Sequence, residues 1–259
     1  MPRLAFVLCL FTWAVSSFAQ NAPPSDPVAV SLAQKSIAAL TGGTAVTDAT
    51  LNATVTSYST SDPDTGTATL LAKGLTESRI DLNLSSGSRS DTRNGSSSVP
   101  QGAWSVNNGN ATHYSGQNCW SDAAWFFPVL TSLSGSDRSI VLSYVGQESR
   151  NAVLVQHLRA YRYQRPPMPT TFLQRWSATD FYLDANSYLP MAMRFSVYAD
   201  NSIGLSIPVE IDFSNYQATS GGVVPMHIQR YVQGSLALDV VVTAVAINSG
   251  LPDSDFTFQ

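Results

Sequence analysis

The sequence predicts an α+β protein in which a large, curved antiparallel sheet wraps over two helices or so. Three observations carry this. The last third of the chain alternates apolar and polar residues with a period of two through four successive segments. Two stretches elsewhere place their apolar residues at helical spacing. Of the 259 residues, 44% are hydrophobic and only 12% charged, which supplies a sizeable core and excludes a disordered chain.

The first residues read as an export signal rather than as part of the fold. Arg3 precedes the apolar run Leu4 to Val15, and Ser17-x-Ala19 has the small-x-small pattern of a cleavage site. The run is too short to span a bilayer comfortably. Residues 1–19 are therefore expected to be removed, leaving 20–259 as one domain, periplasmic or extracellular, with no later transmembrane segment. Cys119 would then be the sole thiol, and no internal disulfide could form.

Asp26-Pro27 has the form of an N-cap with proline at the first helical position. Val30, Ala33, Ile37 and Leu40 follow at helical spacing, and Gly42-Gly43 ends the helix. From Leu51 the period changes to two. "LNATVTSYST" and "TATLLAKGL" form a hairpin about "DPDTG", and "SRIDLNL" a third strand. Ser85 to Gly102 is rich in Ser, Gly and Asn and reads as a loop. "SIVLSYVGQE" and "AVLVQHLRAYRY" pair about "SRN", and "RPPMP" is a stiff break. Met191, Met193, Phe195 and Val197 alternate with Ala192, Arg194, Ser196 and Tyr198, and three similar strands follow in a meander.

The second helix is expected over "NCWSDAAWFFPVL", Asn118 to Leu130. On a wheel Cys119, Ala123, Phe126, Leu130 and Leu133 share one face, with Trp120, Ala124 and Phe127 beside it. Most of the circumference is apolar, so the segment should be enclosed. Pro128 should kink it or restart it. Enclosed aromatics are core more often than ligand wall. The sharper reading is that plug and sheet leave a gap wide enough for an acyl chain. Flexible thioethers such as Met191 and Met193 suit that gap.

The formal charge of −4 offers no excess of cations for nucleic acid. His113, His157 and His227 match no zinc spacing, and no nucleotide or hydrolase fingerprint occurs, so neither cofactor nor metal is expected. Cys119 has apolar neighbours, which suit an inert thiol. Glu210 and Asp212 share a strand face but point outward, with Arg194 as a cross-strand partner, so no enzyme is expected. Arg159, Arg162 and Arg165, with Tyr161 and Tyr163, form either a solvated edge strand or a docking strip for anionic head groups or a protein partner.

"FYLDANSYLPMAMRF", "NYQATSGGVVPMHI" and "AVAINSGLPDSDFTF", in that order, resemble the superfamily of LolA-type outer-membrane lipoprotein carriers and related lipoprotein-sorting domains. "GTATLLAKGLTESRIDL" is similar to that family's pair of strands with an arginine on the second, here Arg79. The resemblance implies an unclosed half-barrel that curls around helices and shelters acyl chains. It implies an apolar ligand, a lipid or the acyl chains of a lipoprotein; the aromatic segment and the facing strand make Trp120, Trp125, Phe126, Phe127, Leu130, Met191 and Met193 the expected lining. The alternative is a protein-interaction or sensor module whose interior is solid core.

Overall fold

Helix α1 (Pro27–Thr41) starts and stops where its caps place it. The Asp26 side chain accepts from the Val28 amide at 2.7 Å, and Gly42 closes the other end in the left-handed region. The structure, a computed structural model, describes residues 23–59, 62–95, 99–164, 170–200 and 202–258. The segment expected to be an export signal, residues 1–19, and Arg165 lie outside the described residues.

Thirteen strands follow: β1 (Asp48–Ser57), β2 (Asp64–Lys73), β3 (Glu77–Leu84), β4 (Gly87–Asn94), β5 (Gln101–Val106), β6 (Thr112–His113), β7 (Ile140–Arg150), β8 (Val153–Arg162), β9 (Thr179–Asp184), β10 (Pro190–Ala199), β11 (Ser202–Thr219), β12 (Gly222–Val232) and β13 (Ser235–Ile247). They form one antiparallel sheet in the order β6-β5-β4-β3-β2-β1-β13-β12-β11-β10-β9-β8-β7. Every neighbour in the meander is a sequence neighbour except at the β1–β13 seam, where the first and last long strands meet. The end strands β6 and β7 do not pair with each other, so the barrel is unclosed.

The period-two pattern sets which face is covered. Paired residues such as Leu51 and Leu70, Ile228 and Val240, and Met193 and Ile211 all turn to the inner face. There they meet Ala29, Leu32, Ala33 and Leu40 of α1 and the aromatic segment around Phe126. At about 25 cal/mol per Å², burying each of the larger side chains here contributes roughly 1.5–3 kcal/mol.

Three expectations change. The aromatic segment is not an α-helix. It crosses the inner face as single 3-10 turns at Gly116–Cys119, Pro128–Leu130 and Ser132–Ser134. Its polar side chains satisfy backbone groups that a helix would have used, a competition that disfavours helix. Thr131 Oγ1 donates to the Pro128 carbonyl at 2.7 Å, and buried Asp122 accepts from the Ser132 amide at 2.8 Å and its hydroxyl at 2.7 Å. The second helix is instead α2 (Thr170–Ser177), which packs on β8 and β10 through buried Leu173.

The Ser/Gly-rich stretch is not a loop: it supplies β4 and the first two residues of β5. Its backbone is held by full registers to β3 and between the two strands, which local composition does not reveal. The strand carrying Arg159 and Arg162 is not an edge, because β8 pairs with both β7 and β9.

Candidate functional site

A cleft of about 520 Å³ opens between the aromatic segment and the inner face of the sheet. Its apolar wall is Trp125 from the segment with Ile80, Leu82, Phe195, Val197, Ile207, Val232 and Leu238 from five strands. Its polar wall is Arg89, Asp91 and Arg93 of β4, Arg230 of β12, and Tyr114. The volume lies inside the roughly 300–1,000 Å³ range of ligand sites, and an apolar lining with a few convergent polar groups is their usual composition.

Strand register explains both walls. Arg89, Asp91 and Arg93 pair with Leu82, Ile80 and Ser78, so all three face inward. Arg230 lies between Ile211 and Leu238, two residues beyond core residue Ile228. Arg89 grips Asp91 through Nε at 2.8 Å and Nη2 at 3.3 Å, and the Tyr114 hydroxyl donates to the same carboxylate. Arg93 donates to the Asn118 carbonyl, with its guanidinium 4.9 Å from the Tyr114 ring centre. The Arg230 guanidinium sits 5.2 Å from the Trp125 ring centre. Burial pushes the pKa of Arg93 and Arg230 below the ordinary arginine range.

A second cleft, about 240 Å³, lies beyond the segment and is lined by Trp120, Cys119, Leu75, Arg162, Tyr163 and Leu173 among others. Ser121 and Ala123 line both clefts, so this short piece of backbone is the partition between them. Burial pushes the Cys119 thiol pKa up, with Arg93 opposing, so the thiolate that a nucleophile needs is disfavoured.

The residues expected to line one cavity are distributed. Trp125 lines the larger cleft and Trp120 the smaller. Phe126, Phe127, Leu130 and Met193 are buried in the main core and line neither. Met191 leaves that face altogether. The β9–β10 register slips between Pro190 and Ala192, and a bulge there turns Met191 into a small cluster with Val155, Tyr182 and Ala192.

The docking strip is already engaged. Arg159 makes two bonds to Asp180, at 2.8 and 3.0 Å, and Arg162 reaches Asp137 at 2.9 Å. Arg79 pairs with Asp81 across from the inner-face residues Ile80 and Leu82, so it does not enter the cleft. Glu210 pairs with Arg194 and Arg150 on the outer face. Arg89 and Arg93 went unseen because their segment read as loop, whereas Arg230 lies on a strand that was expected, two residues past Ile228 on its apolar side. The signal was present in "RSDTR", where Arg89, Asp91 and Arg93 alternate with Ser90 and Thr92.

The fold and cleft define an unclosed half-barrel with a partly apolar hollow under its concave face. Solved structures place it more narrowly. The chain is similar to a candidate outer-membrane lipoprotein-sorting protein domain from Vibrio parahaemolyticus, with 12% identity, a TM-score of 0.55, and coverage of 88% of this chain and 95% of that one. A DUF1329 family protein from Desulfovibrio piger aligns at 10% identity and a TM-score of 0.56, over 91% and 98% of the two chains. A LolA superfamily protein from Nitrosomonas europaea aligns at 12% identity and a TM-score of 0.50, over 88% and 97%. The chain has a LolA-like fold. No protein-family model and no curated protein matches the sequence.

Proposed function

We propose that the protein is an exported, soluble binding protein that holds an apolar ligand, a lipid or the acyl chains of a lipoprotein, in the larger cleft. The observation that carries this is the hollow itself. A well-packed interior has few voids larger than a water molecule, whereas here Trp125, Phe195, Val197, Ile207, Val232 and Leu238 face open space. Transfer of each CH₂ from water into such a lining is worth about 0.8 kcal/mol, so one chain supplies most of the affinity needed. The signal-like pattern of residues 1–19 and the lipoprotein-sorting description of one structural neighbour support the same reading. Among the described residues no helix is long and apolar enough to cross a membrane.

A second reading, a protein-interaction module, draws support from the solid packing around Phe126, Phe127 and Leu133. The two are separated by mass spectrometry of organic extracts of the purified protein, together with tryptophan emission during titration with single-chain lipids. Carriage predicts a co-purifying lipid and an emission change that Trp125→Phe abolishes. Neither signal in repeated preparations overturns carriage.

A further inference from the structure

We propose that the cleft takes an amphiphile with one anionic oxygen head group, a carboxylate or a phosphate monoester, held by Arg230 and Arg93 while its chain lies on the Trp125 wall. This rests on the reading of the cleft as an apolar-ligand site and adds the chemistry of the ligand's polar end.

Four strands separate β4 from β12 in the sheet, yet both send arginines into one cleft because the sheet curls. The charge inventory there is unequal. Three guanidiniums, on Arg89, Arg93 and Arg230, share one inward carboxylate, Asp91. That carboxylate is already held by Arg89 and Tyr114. The other acid on the lining, Asp200, is exposed and accepts from Ser115 at 2.7 Å. Among the described residues Arg93 donates to one carbonyl, on Asn118, and lies beside the Cys119 thiol, with no carboxylate hydrogen-bonded to it. Among the described residues Arg230 makes no hydrogen bond or ion pair, and its Nε is enclosed without a partner.

An unpaired guanidinium away from water is costly, and a ring face offsets only part of that cost. A carboxylate or phosphate offset would be larger, because the planar fork of donors matches two oxygens at once. The neighbours of Arg230 decide what the rest of the ligand is. Leu238 lies beside it, Val232 follows on the same strand face, and Trp125 lies over it. Head-group donors and an apolar wall therefore adjoin, as an amphiphile requires. An arginine that served only to support Trp125 would not discriminate between head groups.

The test titrates the purified protein with palmitate, 1-palmitoyl-lysophosphatidate and hexadecanol, which share a chain and differ at the head. We expect at least one anionic probe to bind roughly tenfold or more tighter than the alcohol, as for a charge-assisted bond. Preference for palmitate identifies a carboxylate, and preference for the lysophosphatidate a phosphate. In Arg230→Met, which keeps the apolar stem, the preference should collapse while hexadecanol affinity is retained. Equal binding of all three probes by the unaltered protein overturns the inference and leaves the apolar-ligand reading standing. So does an undiminished preference in the folded variant. Binding of none of the three overturns both.

Discussion

The side chain of Asn118 stands in for a strand partner of Tyr198. Its Oδ1 accepts from the Tyr198 amide at 2.7 Å, and its Nδ2 donates to the Tyr198 carbonyl at 2.8 Å. The pairing falls where β10 and β11 slip out of register, between Tyr198 and Ala199. One side chain thereby fastens the aromatic segment to the sheet and satisfies two backbone groups.

Asn118→Ala should cost about 1–3 kcal/mol for each buried backbone group left without a partner. Urea unfolding measures this directly. Asn118→Asp keeps the acceptor and loses the donor, so it should fall between. A wild-type midpoint for the alanine variant would show that the fastening carries no stability.

Met193 and Met191 are two residues apart and should respond differently. Met193→Ala removes a fully buried thioether stem from the main core and should cost roughly 2–5 kcal/mol. Met191 is only partly buried in the small outer cluster, so Met191→Ala should cost less than about 1.5 kcal/mol. Similar losses for both, compared by thermal melting, would place the two methionines on one face after all.

The outer face carries a pH dependence of definite sign. Burial first, then the charge of neighbouring Glu210, raise Asp212 to about 6 from an ordinary 3.8, against Arg150 and Arg194. The folded protein therefore binds this proton more tightly than the unfolded chain does. Its favourable contribution is complete below about pH 4 and is lost as pH rises through about 6. Asp212→Asn should accordingly be more stable than the wild type at pH 7.5, with the advantage shrinking at pH 4. Unfolding midpoints at the two pH values check this, and an advantage that grows on acidification would reverse the assignment.

Gly222 opens β12 at φ 148, where an added Cβ would lie 2.4 Å from the Leu40 carbonyl oxygen of α1. Gly234, at φ 80, has open space around it. Gly234→Ala should cost only the strain of a left-handed residue, about 1–2 kcal/mol. Gly222→Ala adds a backbone collision and should cost more, because α1 has to move off the sheet. Equal melting temperatures for the two variants would mean that helix and strand do not approach so closely.

Much of the fold was legible because it follows from local pattern. Asp26, Pro27 and Gly42 bound α1 by capping chemistry that needs no distant partner. The alternation through Phe195, Ile211, Ile228 and Val240 fixes four strands and their common face, since side chains on an unbulged strand alternate between its two faces. The aromatic segment misled because its apolar wheel says that it is enclosed, not that it is helical. Asp122, Thr131 and Ser132 found backbone partners that helical periodicity cannot register. The bulge at Met191 is equally silent in sequence, since it arises from a mismatch between two strands.

By itself, then, the sequence determined the class of fold, the first helix, the late strands and the burial of the tryptophan-bearing stretch. These are set by residues within a few positions of one another. Only the tertiary structure decided that Ser/Gly-rich residues 87–94 join the sheet, that the hollow lies beside Trp125 rather than beneath Phe126, and that arginines of β4 and β12 meet across it. Those facts depend on how far a thirteen-stranded sheet curls, and curvature is the sum of many strand pairings that no single segment encodes.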